Sequence, residues 1–179
     1  HTVNEHKDFF SKSYNLNSIW FPYLSSREGY LLESYILNKL KDNYECICQD
    51  KKRQHFPVIV RQYDKKKQIH MSKCGVSIDK LSSEKINIYK NIDFKPQINC
   101  ILYNLNKNNI INNDLKKYNI TVQNDGTLGL IDFELAQVKN FNFHGKKSKN
   151  MYKKNLPNNY SQFYNILKSS KIGKKTSSK

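Results

Sequence analysis

The sequence predicts an α+β fold with one hydrophobic core. Residues 26–42 and 95–108 carry apolar residues at helical spacing. Residues 56–72 and 118–131 have the apolar runs and turn residues of β-hairpins. A chain of 179 residues is long enough to bury such a core without disulfides or metal ions. These observations indicate one domain, or one domain with a tail.

Three segments show a helical period of apolar residues. In the first, Ser25 or Ser26 can cap the N-terminus, and the apolar stripe is formed by Leu32, Ile36, Leu37 and Leu40. In the second, the apolar face has the spacing i, i+3, i+4 and i+7 and consists of Ile98, Ile101, Leu102 and Leu105. A weaker period over residues 160–167 predicts a short helix near the C-terminus.

Strands are predicted where apolar runs are bounded by turn residues. Residues 56–63 and 68–72 flank a charged turn and form the first predicted hairpin. Residues 118–122 and 128–131 flank an Asn-Asp-Gly turn, which tolerates positive φ, and form the second. The weaker signals are strands or an irregular lead-in at residues 9–14 and 19–23, and a short helix with loops at residues 77–93.

The chain is strongly basic, with a formal net charge of +16. Only three of its 31 basic residues are Arg, the side chain best suited to phosphate and base contacts, so the charge is weak evidence for nucleic-acid binding. Lys, Asn, Ile and Tyr are frequent and have AT-rich codons, which predicts an AT-rich source: a virus, an intracellular bacterium or a protist. Ten lysines and no acidic residue lie in residues 145–179, which we interpret as a basic tail.

The four cysteines are expected to be reduced thiols in the cytoplasm, or in the host cytoplasm or virion if the source is viral. Cys46 and Cys48 are separated by one residue, which is closer than the usual spacing of a zinc-binding pair. His55 is near them in sequence, but no second ligand pair follows, so free thiols are favoured over a zinc site. No secretory signal is visible, and no stretch approaches the ~20 apolar residues of a membrane span.

Two carboxylates stand out by their context. Asp132 ends an otherwise apolar strand, where a charge is costly to bury unless it is paired or binds a metal. Pairing of the second hairpin would bring the loop that holds Asp114 and Asn119 close to Asp132. Carboxylate and amide oxygens are the ligands that phosphate-bound Mg²⁺ prefers, and the sequence therefore predicts a magnesium site here.

The same residues carry a resemblance to a known family. Residues 113–120, Asn-Asp-Leu-Lys-Lys-Tyr-Asn-Ile, resemble the catalytic loop of protein kinases, including the spacing from its Asp to its Asn. Residues 130–134, Leu-Ile-Asp-Phe-Glu, resemble the segment around the D-F-G motif. The other similar blocks, in kinase order and spacing, are the αC helix at residues 33–40, the last N-lobe strand and hinge at 68–75, and the helix before the catalytic loop at 98–105.

The resemblance covers residues 9–140 and implies a two-lobed, protein-kinase-like α+β fold with a reduced N-lobe and a truncated C-lobe. Residues 1–75 would form the N-lobe and hinge, and residues 76–144 the shortened C-lobe with the catalytic loop. Residues 145–179 would be the basic tail with one short helix.

The resemblance also implies roles for individual residues, with ATP and Mg²⁺ as cofactors. Asp114 would be the catalytic base, and Lys116 would neutralise charge on the transferred phosphoryl group. Asn119 and Asp132 would hold Mg²⁺ on the nucleotide phosphates.

Five further residues would bind the nucleotide or position it. Glu33 would form an ion pair with the lysine of the third N-lobe strand, for which Lys12 is the candidate. Met71, Lys73 and Cys74 would line the adenine pocket.

The departures from the kinase pattern are specific. Asn112 and Asn113 replace the His and Arg of H-R-D, and Glu134 replaces the Gly of D-F-G, as in small-molecule kinases of the choline-kinase type. Neither a glycine-rich loop nor an A-P-E motif is visible. The sequence therefore resembles a truncated or minimal kinase, closer to RIO or lipopolysaccharide kinases than to a full-length Ser/Thr kinase.

Three functions remain open on the sequence alone. The first is an ATP- and Mg²⁺-dependent phosphotransferase of the Ser/Thr protein kinase type, acting on a protein substrate. The second is a pseudokinase that regulates a partner kinase by binding. The third is a nucleic-acid-binding or virion-associated protein that uses the basic tail, which also suits an anionic surface.

Overall fold

The computed structural model describes residues 2–14, 26–139 and 158–174, and the fold over these ranges is mixed α+β. The predicted strand at residues 19–23 and most of the basic tail lie outside the described residues. No helix in the described ranges is long and apolar enough to cross a membrane.

A four-stranded antiparallel sheet comes first in the chain. Its strands are β1 (Thr2–Glu5), β2 (Phe9–Ser13), β3 (Ile59–Tyr63) and β4 (Gln68–Ser72), in the spatial order β1-β2-β4-β3. The predicted hairpin at residues 56–72 is confirmed as β3 and β4, although β3 begins two residues after Pro57, which has no N–H to donate to a ladder. β1 was not predicted, because its four exposed residues show no apolar alternation.

Helix α1 (Ser26–Asn43) confirms the first predicted helix. Its apolar stripe is buried as expected, with Ile36, Leu37 and Leu40 almost inaccessible to solvent. Burying each of these side chains stabilises the fold by about 1.5–3 kcal/mol. The helix contacts β3, and so the same packing fixes the position of Glu33 next to the sheet.

The rest of the chain contains five short strands and three more helices within the described ranges. The strands are β5 (Val76–Ser77), β6 (Ile110–Ile111), β7 (Ile120–Val122), β8 (Leu128–Leu130) and β9 (Gln137–Val138). The helices are α2 (Ser83–Tyr89), α3 (Lys95–Lys107) and α4 (Tyr160–Ser169), with a 3-10 turn at Ile78–Lys80. The helix at 95–108, the hairpin at 118–131 and the short helix at 160–167 are thus confirmed.

Two small antiparallel sheets hold the loops of this region. One has the order β5-β7-β8, and the other pairs β6 with β9. Helix α3 is joined to the turn between β7 and β8 by the buried side chain of Gln97, which donates to the Gly126 carbonyl (3.0 Å) and accepts from the Leu128 N–H (2.8 Å). Gly75 precedes β5 with φ +93°, and a Cβ there would lie 2.4 Å from the Val122 carbonyl oxygen.

Helix α4 packs against α3. Phe163 and Leu167 are buried, as is Ile172 just beyond the helix. The chain after α4 is tied to the C-terminal end of α2, since the N–H of Gly173 donates to the carbonyl of Tyr89 (3.1 Å). The short helix expected in the tail therefore contributes to the core.

Candidate functional site

The loops that hold Asp114 and Asp132 lie side by side. Asp114 lies between β6 and β7, and Asp132 follows β8. Because β6 pairs with β9 and β7 pairs with β8, both ends of each loop are fixed. The N–H of Ile131 donates to the carbonyl of Asn119 (2.9 Å), which joins the two loops directly.

The first loop brings two of the predicted residues, Lys116 and Asn119, into contact with Asp114. The side-chain amide of Asn119 donates to the backbone carbonyl of Asp114 (2.8 Å) and to its carboxylate (3.1 Å). Lys116 forms an ion pair with the same carboxylate. The hydrogen bond to Asp114 is the main reason why the pKa of Lys116 is raised. Asp114, Lys116 and Asn119 therefore form one group.

The two asparagines that replace His and Arg of the kinase pattern hold this loop. The side-chain oxygen of Asn112 accepts the N–H of Asp114 (2.8 Å). The side-chain amide of Asn113 donates to the carbonyl of Leu135 (3.1 Å), which lies beyond Asp132. Neither residue was predicted to have a role. Their position directly before Asp114 is the feature of the sequence that could have indicated one.

A second group surrounds the ammonium of Lys12. Its Nζ lies 2.7 Å from Glu33 Oε2, 2.9 Å from Asp132 Oδ1 and 2.7 Å from Glu134 Oε1. The side chains of Lys12 and Glu33 are 5% and 2% exposed, whereas those of Asp132 and Glu134 are 29% and 21% exposed. The pairing of Lys12 with Glu33 that the resemblance implied is present in the structure.

The charges in this group do not balance. One ammonium faces three carboxylates, so the exposed side of the cluster is negative and suits a cation. Burial acts to lower the pKa of Lys12, but the charges of Glu33, Asp132 and Glu134 outweigh it and raise that pKa. Lys12 is therefore an ammonium at any physiological pH.

Tyr14 completes the buried side of the cluster. Its hydroxyl donates to Glu33, and the Lys12 ammonium lies 5.3 Å from the centre of its ring. Burial and then the Glu33 charge raise the pKa of the Tyr14 hydroxyl, which keeps it a donor. Tyr14 was missed by the sequence analysis, although its position two residues after Lys12 on an extended segment indicates the same face.

Asp132 has an unusual backbone conformation. Its φ is +65°, in the left-handed region that non-glycine residues seldom adopt. Such a backbone conformation costs energy and persists only where the surrounding structure holds it. Residues of this kind are found most often at functional sites. Here the N–H of Phe133 donates to Glu33 Oε1 (3.3 Å), and the Phe133 side chain is fully buried.

The three residues predicted to line an adenine pocket have three different surroundings in the structure. Met71 is buried on β4 opposite Phe10, which places it on the same face of the sheet as Lys12. Lys73 instead forms an ion pair with Glu5 (2.7 Å). Cys74 is buried, and its carbonyl accepts the Thr121 hydroxyl.

A scan of the chain against models of known protein families found no match, and neither did a search for similar curated proteins. A functional interpretation has to come from the chemistry of the residues. The two groups provide a buried ammonium, excess carboxylates, an amide next to an aspartate and a second lysine. Carboxylate and amide oxygens can hold a divalent cation, and ammonium groups can pair with an anionic ligand.

Proposed function

We propose that this chain is an ATP- and Mg²⁺-dependent phosphotransferase with a two-lobed, protein-kinase-like fold. The observation that carries the proposal is the buried Lys12–Glu33 ion pair, in contact with Asp132. Kinases need such a lysine–glutamate pair and the D-F-G aspartate in place together. In this chain the three residues come from β2, α1 and the loop after β8.

The donor set fits a magnesium-bound nucleotide. Mg²⁺ prefers carboxylate and amide oxygens and is usually held by one or two carboxylates together with substrate phosphates. Asp132 and Asn119 offer these oxygens on neighbouring loops. The excess of carboxylates over ammonium around Lys12 is compensated when a divalent cation binds. The bound cation would neutralise charge on the phosphates.

The residues of the chain divide the work of phosphoryl transfer. Lys12 positions the phosphates, since Glu33 holds its ammonium in place. Asp114 orients the acceptor hydroxyl and takes its proton, and Asn119 fixes Asp114 through two hydrogen bonds. Lys116 offsets charge on the transferred group. Positioning and charge neutralisation supply most of the rate enhancement in this reaction class.

The proposed acceptor is a Ser or Thr hydroxyl of a protein. This part of the proposal is supported by the resemblance of residues 113–120 to the kinase catalytic loop and by the partial exposure of the Asp114 side chain, which is 14%. A partly exposed carboxylate next to a lysine can meet a hydroxyl on a large substrate.

Calorimetric titration with ATP, with and without Mg²⁺, tests the nucleotide site. We expect binding that depends on Mg²⁺ and is lost in Asp132→Asn. Asp79→Asn is the matched control, because Asp79 is exposed and the hydrogen bond that it accepts from Ser77 survives the substitution. A parent chain that does not bind at millimolar nucleotide contradicts the proposal.

Turnover is tested separately with Asp114→Asn. The substitution keeps an acceptor for the Asn119 amide but removes the base. We expect nucleotide binding to persist and phosphotransfer to fall by about 10²–10⁴-fold. Equal activity of the variant and the parent would exclude Asp114 as the catalytic base.

A regulatory binding module is the second candidate function. The observation that favours it is that the carboxylates of Asp114 and Asp132 already have cationic partners, Lys116 and Lys12. Such a site is stable without a ligand. If Mg²⁺-ATP neither binds nor raises the melting temperature, this second function is favoured, and the next experiment is a search for a partner kinase.

A further inference from the structure

Two neighbouring cysteines and a third from a distant part of the sequence lie close together. Cys46 and Cys48 lie in the connection between α1 and β3, and Cys100 lies on α3. Their sulfur atoms all lie within 4.8 Å of one another. Bonds of about 2.3 Å to a tetrahedral zinc ion separate its sulfur ligands by about 3.8 Å, so the cluster needs only a small contraction to bind one.

A buried histidine lies next to the three cysteines, on the side of Cys48. His55 is fully buried, and its Nε2 lies 3.3 Å from Cys48 Sγ. Its Nδ1 lies 2.7 Å from the carbonyl oxygen of Leu128. Because a carbonyl can only accept, Nδ1 carries the proton, and the lone pair of Nε2 is available on the side of Cys48 Sγ. Histidines that bind metals are held by this kind of contact through the second ring nitrogen.

Backbone donors are directed at two of the sulfurs. The N–H of Arg53 donates to Cys46 Sγ (3.2 Å), and the N–H of Ile47 donates to Cys100 Sγ (3.3 Å). Hydrogen bonds of this kind stabilise the thiolate form, which is the form that binds metals.

From this geometry we propose that Cys46, Cys48, Cys100 and His55 bind a structural Zn²⁺ ion. Thiolate sulfur and imidazole nitrogen in a set of four are typical of zinc, and a site without an open position is structural rather than catalytic. The sequence alone favoured free thiols, because Cys100 joins the set only through the packing of α3.

The ion would fasten the connection between α1 and β3 to the rest of the fold. His55 already contacts β8 twice, through its side chain to Leu128 and through its carbonyl, which accepts the N–H of Leu130 (2.8 Å). Cys100 adds α3 to the same point. The proposal is independent of the phosphotransferase function, since none of the four ligands belongs to the groups around Lys12 and Asp114.

Metal content and cobalt substitution of the full purified chain test the proposal. We expect about one zinc per chain after preparation with zinc under reducing conditions. Replacement by Co²⁺ should give thiolate-to-cobalt charge-transfer absorption and the intense visible bands of tetrahedral cobalt. Cys46→Ala and Cys100→Ala should each weaken zinc binding by more than about 100-fold, the upper end of the loss caused by an outer partner.

The fourth cysteine offers a matched control. Cys74 is buried but lies outside the cluster, so Cys74→Ala should keep the zinc content and the cobalt spectrum of the parent. If the ligand variants fail to fold, the spectrum of the parent decides. A parent chain without zinc, cobalt absorption that lacks the thiolate band, or a disulfide among the three cysteines would each overturn the proposal.

Discussion

Lys12 is the residue on which the candidate site depends most. It lies on β2, an interior strand of the four-stranded sheet, and the Glu33 side chain beside it is also buried. Each of these two buried charges is tolerated because the other is present. Asp132 and Glu134 add negative charge at the more exposed side. The cluster is therefore both a structural element and the part of the proposed site that meets the phosphates.

Replacing this lysine should destabilise the protein as well as the proposed site. Lys12→Met leaves Glu33 buried without a counter-charge, and we expect the free energy of unfolding to fall by about 3–5 kcal/mol. Urea denaturation measures the change. The control is Lys80→Met, which removes an exposed lysine and should change stability by less than about 0.5 kcal/mol. Equal effects of the two substitutions would contradict a structural ion pair.

At the scale of elements, the β7–β8 hairpin carries the loop with Asp132. Its turn is held by Asp125, which accepts the N–H of Thr127 (3.0 Å) and pairs with Lys51 (2.6 Å). Burial acts to raise the pKa of Asp125, but Lys51 and Thr127 outweigh it and hold that pKa at about 2.

The turn therefore predicts an acid-sensitive contribution to stability. Since the pKa of Asp125 is about 2 in the folded chain and about 3.9 in an unfolded one, its charge stabilises the fold above pH ~4. This contribution is lost as the pH falls toward 2. Asp125→Asn keeps the acceptor for Thr127 but removes the charge that pairs with Lys51. The variant should therefore be less stable than the parent at about pH 5–7, and the difference in stability should shrink in acid. A constant difference across the pH range would contradict the assignment.

The elements also show what the sequence could predict and what it could not. Helices α1 and α3 were predictable because Ile36, Leu40, Ile98 and Ile101 mark faces at helical spacing. The Lys12–Glu33 pair followed from a resemblance that fixes the order of elements. Two-residue strands such as β6 and β9 are too short to show a pattern in the sequence, and only their pairing with each other defines them. Cys100 meets Cys46 through packing alone.

At the scale of the whole molecule, the last described helix is part of the core. Asn158, just before α4, accepts the N–H of Asn112 (3.0 Å) and donates to the carbonyl of Ile110 (2.7 Å). The C-terminal segment therefore supports the strand and loop that lead to Asp114. Phe163 and Leu167 bury its apolar face.

Removing the main anchor of α4 should destabilise the whole chain. Phe163 is 1% exposed, and Phe163→Ala should lower the free energy of unfolding by about 3–5 kcal/mol in a single cooperative transition. Gln162→Ala, at an exposed position on the same helix, should have little effect. Denaturation followed by circular dichroism and by tyrosine fluorescence compares the two. A stable Phe163→Ala variant would mean that α4 is not part of the cooperative unit.

The pairing of β6 with β9 and of β7 with β8 has a mechanical consequence. The loops of Asp114 and Asp132 are each held at both ends by these paired strands, so the strand pairings fix the separation of the two loops. Lys12 and Glu33 lie on other elements, β2 and α1. The cluster around Lys12 therefore depends on both sets of elements. A substitution that displaces β2 or α1 should change the distance from Lys12 to Asp132, whereas the spacing of the two loops depends on the strand pairings alone.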